Sequence, residues 1–234
     1  MLLDLLPKGL ARAEKAFLSG CSAGGLAVFL HCDNFSKFLP RNATVKCLSD
    51  AGFFLDVKDV SMNETIRTLY HDVVTLQGVE QNLDQNCTSS LTDPKLCFFP
   101  QHNLGVEQNL DQNCTSSLTD PKLCFFPQHN LGFIKNPMFI LNSAYDMWQF
   151  YYILVPSLAD PRKEWKYCKY NISACTESQM KILQDFRLAM LEASYSFYKH
   201  STSGGMFINS CFAHSQSDQQ ETWFAADSPI VHNK

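Results

Sequence analysis

The sequence predicts an α/β fold, a mostly parallel sheet with helices on both faces, in a single domain over residues 1–234. Two observations point there. Short apolar runs alternate with stretches in which apolar residues recur at helical spacing. Polar residues capable of chemistry stand just past the ends of those runs, where sheet-end loops collect them.

In chain order, Leu3, Leu6, Leu10, Ala13 and Phe17 recur at helical spacing and predict an amphipathic first helix. Asp4, Lys8, Arg12, Glu14 and Lys15 interrupt the apolar run that a secretory leader needs. "AFLSG" reads as a strand end leading to Ser22. "GGLAVFLHCDNFSKFLP" follows as a helix with Leu26, Phe29, Leu30 and Phe35 on one face and Pro40 closing it. "TVKCLSDAGFFLD" is a buried strand through Val45, Cys47 and Leu48 that runs into a turn at Gly52. "NETIRTLYHDVVTLQ" is helical, with Ile66, Leu69, Tyr70, Val73 and Val74 on one side. "NPMFILNSAYD" supplies a strand over Met138 to Leu141 and a polar turn with Asp146. "CTESQMKILQDFRLAMLEASYSFYK" is the strongest helix: Met180, Leu183, Phe186, Arg187, Met190 and Leu191 share a face, and Thr176 with Gln179 suits a capping box. "GGMFINSCFAH" is another strand-to-turn and delivers His214.

One block breaks the alternation. The 27 residues at 78–104 repeat without change at 105–131. Solenoid repeats diverge and run to three or more copies, so a single perfect pair reads as a recent duplication or a gene-model error. One copy can fill the native place while the other loops out, because loop-closure cost grows only logarithmically with length. The block also duplicates Cys87 and Cys97 as Cys114 and Cys124.

Composition narrows the function classes. Hydrophobic residues make up 45% and charged ones 18%, a globular balance. The net charge of −4 gives no reason to expect nucleic acid or an anionic membrane as partner. No apolar stretch approaches a membrane span. Ten cysteines, none in a CxxC pair, argue for disulfides and an oxidising compartment rather than zinc. Sequons at Asn34, Asn42, Asn63, Asn86, Asn113 and Asn171 agree. A chain that looks secreted in its cysteines yet lacks a leader is expected to lack the N-terminal part of a longer protein.

Gly20-Cys21-Ser22-Ala23-Gly24 fits G-x-S-x-G, which places a serine on a sharp strand-to-helix turn. Serine is a weak nucleophile until a histidine takes its proton, and a carboxylate must hold that imidazole in the right tautomer. The order Ser22, Asp146, His214 is the order of an α/β hydrolase, and each residue follows an expected strand. The backbone N–H of Ala23 is the candidate oxyanion-hole donor. Taken singly, the motif is also an ordinary turn, Asp146 a helix N-cap before "MWQFYYIL", and His214 a core or surface histidine. His31, Cys32 and Asp33 are adjacent on a helix, which scatters their side chains and disfavours a metal site.

"LSGCSAGG", "HCDNF", "VKCLSDAGFFLD", "LCFFPQ", "FILNSAYDMWQ", "LQDFR" and "GMFINSCFAHSQSDQQETW" together resemble the plant pectin acetylesterase family, from about residue 3 to 233. That resemblance implies a Notum-like α/β-hydrolase fold, secretion to the plant cell wall, and removal of acetyl groups from homogalacturonan. It implies a catalytic triad at Ser22, Asp146 and His214, no metal or organic cofactor, acetylated pectin as the partner, and a monomer. It also implies departures: a glycine-rich "GGGW"-type segment and signal peptide absent, the C-terminal end cut short, the block doubled, and Ser215 standing where the family has cysteine. If that cysteine bridges to Cys21, then Cys21 is a free thiol here. Cys32–Cys47, Cys87–Cys97 (or its copy) and Cys168–Cys175 are the remaining expected pairs. Two other functions stay open, a non-catalytic fragment that only binds wall polysaccharide and an esterase for another acyl substrate.

Overall fold

The computed structural model describes residues 2–70, 112–118, 121–200, 204–218 and 226. Its centre is a four-stranded sheet of β1 (Lys15–Cys21), β2 (Thr44–Asp50), β3 (Met138–Ser143) and β4 (Gly205–Asn209), side by side in chain order. Every pair is parallel. Helix α1 (Ala23–Lys37) makes the crossover from β1 to β2, and helix α2 (Glu177–His200) lies in the connection from β3 to β4.

The start of the chain differs from expectation. Only Leu2–Leu5 is α-helical, Leu10–Arg12 is a short 3₁₀ turn, and Phe17 lies inside β1. Pro7 cannot donate to a helix interior, and Gly9 sits at φ 129°, so the apolar spacing spans two breakers. From Lys15 the backbone instead pairs in register with β2.

The parallel sheet is as expected, and its strand order explains how it is covered. Crossovers between parallel strands are right-handed. A sheet that adds each strand on the same side therefore carries its connections over one face. On that face Val45, Cys47, Met138 and Ile140 are buried with Phe29, Phe53, Leu183 and Met190, and Leu18, Met206 and Ile208 pack against them. The register puts Phe17, Lys46, Phe139 and Phe207 on the other face, where the three rings are 62%, 41% and 57% exposed. Helices over both faces were expected; here the described residues leave these rings bare.

The helix start predicted at Thr176 carries the reciprocal capping box. Its N–H donates to Gln179 Oε1 at 2.9 Å, and its hydroxyl accepts from the Gln179 N–H at 3.3 Å. Leu183, Phe186 and Met190 form the buried face. Residues 65–70 are helical, and the rest of "NETIRTLYHDVVTLQ" lies outside the described residues.

Disulfides join Cys32 to Cys47, Cys114 to Cys124 and Cys168 to Cys175. The first ties α1 to β2 from inside the core. The second places the later copy of the duplicated block against the fold, with Phe126 packed among Leu26, Phe54, Ile66 and Ile153. Gln128 Oε1 there accepts the Asp56 N–H at 2.9 Å. The whole of the earlier copy, Cys87 and Cys97 included, lies outside the described residues. Among the described residues, no helix is long and apolar enough to cross a membrane.

Candidate active site

The site assembles at the C-terminal ends of the strands. β1 ends at Cys21, and Ser22 makes the turn into α1 at φ 57° and ψ −123°. A non-glycine residue there costs about 1–3 kcal/mol and persists only when its surroundings hold it. Two hydrogen bonds do so: the Ser22 N–H donates to the Asp50 carbonyl at 2.9 Å, and the Ser22 carbonyl accepts from Leu26 at 3.0 Å. The turn is so tight that a Cβ on Gly20 would lie 2.3 Å from the Gly24 carbonyl oxygen. Gly25 and Gly52 allow α1 to press on the end of β2; a Cβ on Gly52 would lie 2.3 Å from the Gly25 carbonyl carbon.

Two loops bring the partners. After β3, Asp146 caps the short helical turn Met147–Gln149, its Oδ1 accepting the Gln149 N–H at 2.9 Å. A π-helical turn, Phe150–Leu154, continues it. One oxygen of Asp146 thus caps the helix and the other faces His214. After β4, the loop bearing His214 returns over the strand ends.

The geometry is a linear relay. His214 Nε2 lies 2.8 Å from Ser22 Oγ, and His214 Nδ1 lies 2.8 Å from Asp146 Oδ2. Asp146 is fully buried, and the His214 side chain is 13% exposed. Trp148 stacks on the imidazole at a centroid distance of 6.0 Å, and Phe54 lies 6.3 Å away. Both rings lie alongside the imidazole, and an aromatic face within about 6 Å attracts a cation. Ala23, the other residue singled out in the sequence, is the first residue of α1. The residues separated by 192 and 68 positions in the chain are thus brought together.

Several supporting residues carried no signal in the sequence. In the extended segment after β2, two N–H groups are taken up by side chains near the site: Phe53 donates to Asn142 Oδ1 at 3.2 Å and Leu55 to Gln149 Oε1 at 2.9 Å. Asp50 Oδ2 accepts from the N–H groups of Gln216 and Ser217 at 2.7 and 2.6 Å and from the Ser217 hydroxyl at 2.7 Å. A strand-terminal acid reads as a turn former, and only the folded His214 loop supplies its donors. Cys21 is a free thiol whose Sγ contacts the Ser215 hydroxyl. Burial pushes its pKa up, helped by the charges of Asp50, Asp218 and Asp146 and opposed by the Ser215 hydrogen bond. Cys32, singled out beside His31 and Asp33, is taken by its disulfide, while Asp33 accepts from the N–H groups of Lys135 and Asn136 at 2.9 Å. Among the described residues no group of His, Cys, Asp and Glu could hold a metal.

Comparison with known proteins places this geometry in a lineage. The pectinacetylesterase family model matches residues 1–105 and 102–234. The chain belongs to the pectinacetylesterase family. It is 44% identical over 231 residues to pectin acetylesterase 5 of Arabidopsis thaliana, covering 99% of this chain and 47% of that protein. Pectin acetylesterase 4 of the same plant is 41% identical, with 99% and 49% covered. The chain thus spans about half the length of these curated relatives. A crystal structure of the Wnt deacylase Notum from Drosophila superimposes with a TM-score of 0.61 at 20% identity, covering 94% of this chain and 51% of that one. At that identity the likeness establishes the shared fold.

Proposed function

We propose that this pectinacetylesterase-family chain hydrolyses acetyl esters on pectin through a serine acyl-enzyme. The observation that carries the reading is the Ser22–His214–Asp146 relay with both contacts at 2.8 Å. His214 Nε2 takes the Ser22 Oγ proton as Oγ attacks the acetyl carbonyl. Asp146 accepts the Nδ1 hydrogen, which leaves Nε2 as the base and stabilises the imidazolium. The carbonyl oxygen gains negative charge, and the Ala23 N–H is positioned by sequence to donate to it. Collapse of the tetrahedral intermediate breaks the ester bond. His214 returns the proton to the departing sugar hydroxyl, leaving acetyl-Ser22. Water, deprotonated by His214, then releases acetate and restores Ser22.

The strain at Ser22 supports this reading, because backbone held at φ 57° lifts Oγ clear of the sheet. The names of the Arabidopsis relatives favour acetylated pectin as substrate and with it a cell-wall location. The test has two stages. A fluorophosphonate probe should label the folded chain, and Ser22→Ala should abolish labelling; an unlabelled folded chain would instead favour a polysaccharide-binding role. Acetate release should then be faster from acetylated pectin than from acetylated xylan. The reverse preference would assign the relay to another acyl substrate.

A further inference from the structure

Asp50 holds both halves of the relay. Through its main chain it accepts the Ser22 N–H, and through its buried carboxylate it accepts three donors from Gln216 and Ser217, just beyond His214. Ser22 lies on the β1–α1 turn and His214 on the loop after β4, so their reach depends on how these two segments sit against each other. Asp50, at the end of β2, hydrogen-bonds to both. It is fully buried, and its Oδ1 has no partner, so the carboxylate spends all three bonds on the histidine loop through one oxygen. Hydrogen bonds to an ionised acceptor are about twice as strong as neutral ones. The adjoining Cys21–Ser215 contact links the same two segments, with Ser215 at φ 65°.

We propose that Asp50 is a positioning residue that clamps the histidine loop onto the nucleophile turn and so sets the Ser22–His214 distance. It touches no reacting atom and acts through His214. The proposal rests on the reading of Ser22, His214 and Asp146 as a working relay.

Because Cys21 Sγ already meets Ser215 Oγ, the thiol that Ser215→Cys introduces is placed to bridge to Cys21 under oxidised glutathione. That bridge can hold the loop without the carboxylate. Two readouts apply to the full chain: the fluorophosphonate acylation rate at Ser22, and amide hydrogen exchange across residues 214–217. Asp50→Ala should slow acylation on the order of 10²-fold, the loss expected from a displacement of about 1 Å, and should speed exchange at Gln216 and Ser217. Asp50→Asn, which keeps one acceptor without the charge, should fall between Asp50→Ala and the parent in both. Adding the oxidised Ser215→Cys bridge to Asp50→Ala should recover most of the acylation rate. Unchanged exchange in Asp50→Ala overturns the clamp. So does a double variant that forms the bridge yet acylates as slowly as Asp50→Ala, since the carboxylate would then act other than by position. If Asp50→Ala does not fold, Asp50→Asn, alone and with the bridge, is read by the same criteria. If the parent chain itself fails to label, the relay reading falls, while hydrogen exchange still decides whether Asp50 holds the loop.

Discussion

Gly20→Ala and Gly24→Ala alter the two glycines of one motif and should have opposite outcomes. A Cβ on Gly20 would lie 2.3 Å from the Gly24 oxygen and 2.4 Å from its carbon, both main-chain atoms that no rotamer change can move aside. Relief to the 3.4 Å of ordinary contact requires the first turn of α1 to lift from β1 by just over 1 Å. Ser22 sits between these two residues and moves with them. A displacement of about 1 Å in a reacting group costs about 10²-fold in rate, and overpacking of this kind costs about 1–3 kcal/mol in stability. A Cβ on Gly24 meets nothing within 4 Å, and its helical backbone suits alanine. Gly24→Ala should therefore keep its labelling rate and gain up to about 1 kcal/mol. The assay is the fluorophosphonate acylation rate at Ser22, with the urea midpoint measured alongside. Equal rates for Gly20→Ala and the parent, or equal losses in both variants, would show that the tight turn does not position Ser22.

Asp146→Asn should lower the acylation rate by about 10⁴-fold, as in serine hydrolases where an amide favours the wrong imidazole tautomer. It should leave stability nearly unchanged, because an oxygen remains to cap Gln149. Asp146→Ala should lose about 1 kcal/mol more, the cap contribution, as read from urea unfolding. Asp59 gives a pH signature. Burial alone would raise its pKa, but hydrogen bonds from the Asn63 and Ser61 N–H groups and from the Thr65 hydroxyl outweigh burial and hold it below the ordinary value. Its contribution is thus complete above the unfolded carboxyl pKa of about 4 and is lost as pH falls through the folded value. The difference in thermal midpoint between the parent and Asp59→Asn should be full at pH 7 and shrink towards pH 3; a difference that grows on acidification would reverse the assignment.

The sequence revealed those features whose cause is local. Ser22 was legible because a strand, two glycines and a helix mark the turn within a few residues. Thr176 and Gln179 announced a helix start because both halves of the capping box lie in one turn. The order of Asp146 and His214 pointed to the relay, although no spacing rule gave their contact. The first helix was misread because period alone cannot weigh Pro7 and Gly9 against a strand partner 29 positions away at Thr44. Asp50 was not legible because its donors come from a loop 166 and 167 positions later. The two readings of Asp146 stood in the sequence as alternatives, because only the fold shows that one oxygen can cap Gln149 while the other faces His214.

Phe17, Phe139 and Phe207 make the stability of this chain a matter of mass action. A parallel sheet ordinarily buries both faces, and the three rings that the described residues leave exposed on one of them give detergent micelles, apolar dyes and other chains a place to bind the folded form. Whatever binds the folded state and not the unfolded one raises the apparent stability in proportion to the logarithm of its concentration. A melting temperature measured on this chain is therefore a property of the solution as well as of the molecule. It gains meaning as a series over protein and additive concentration.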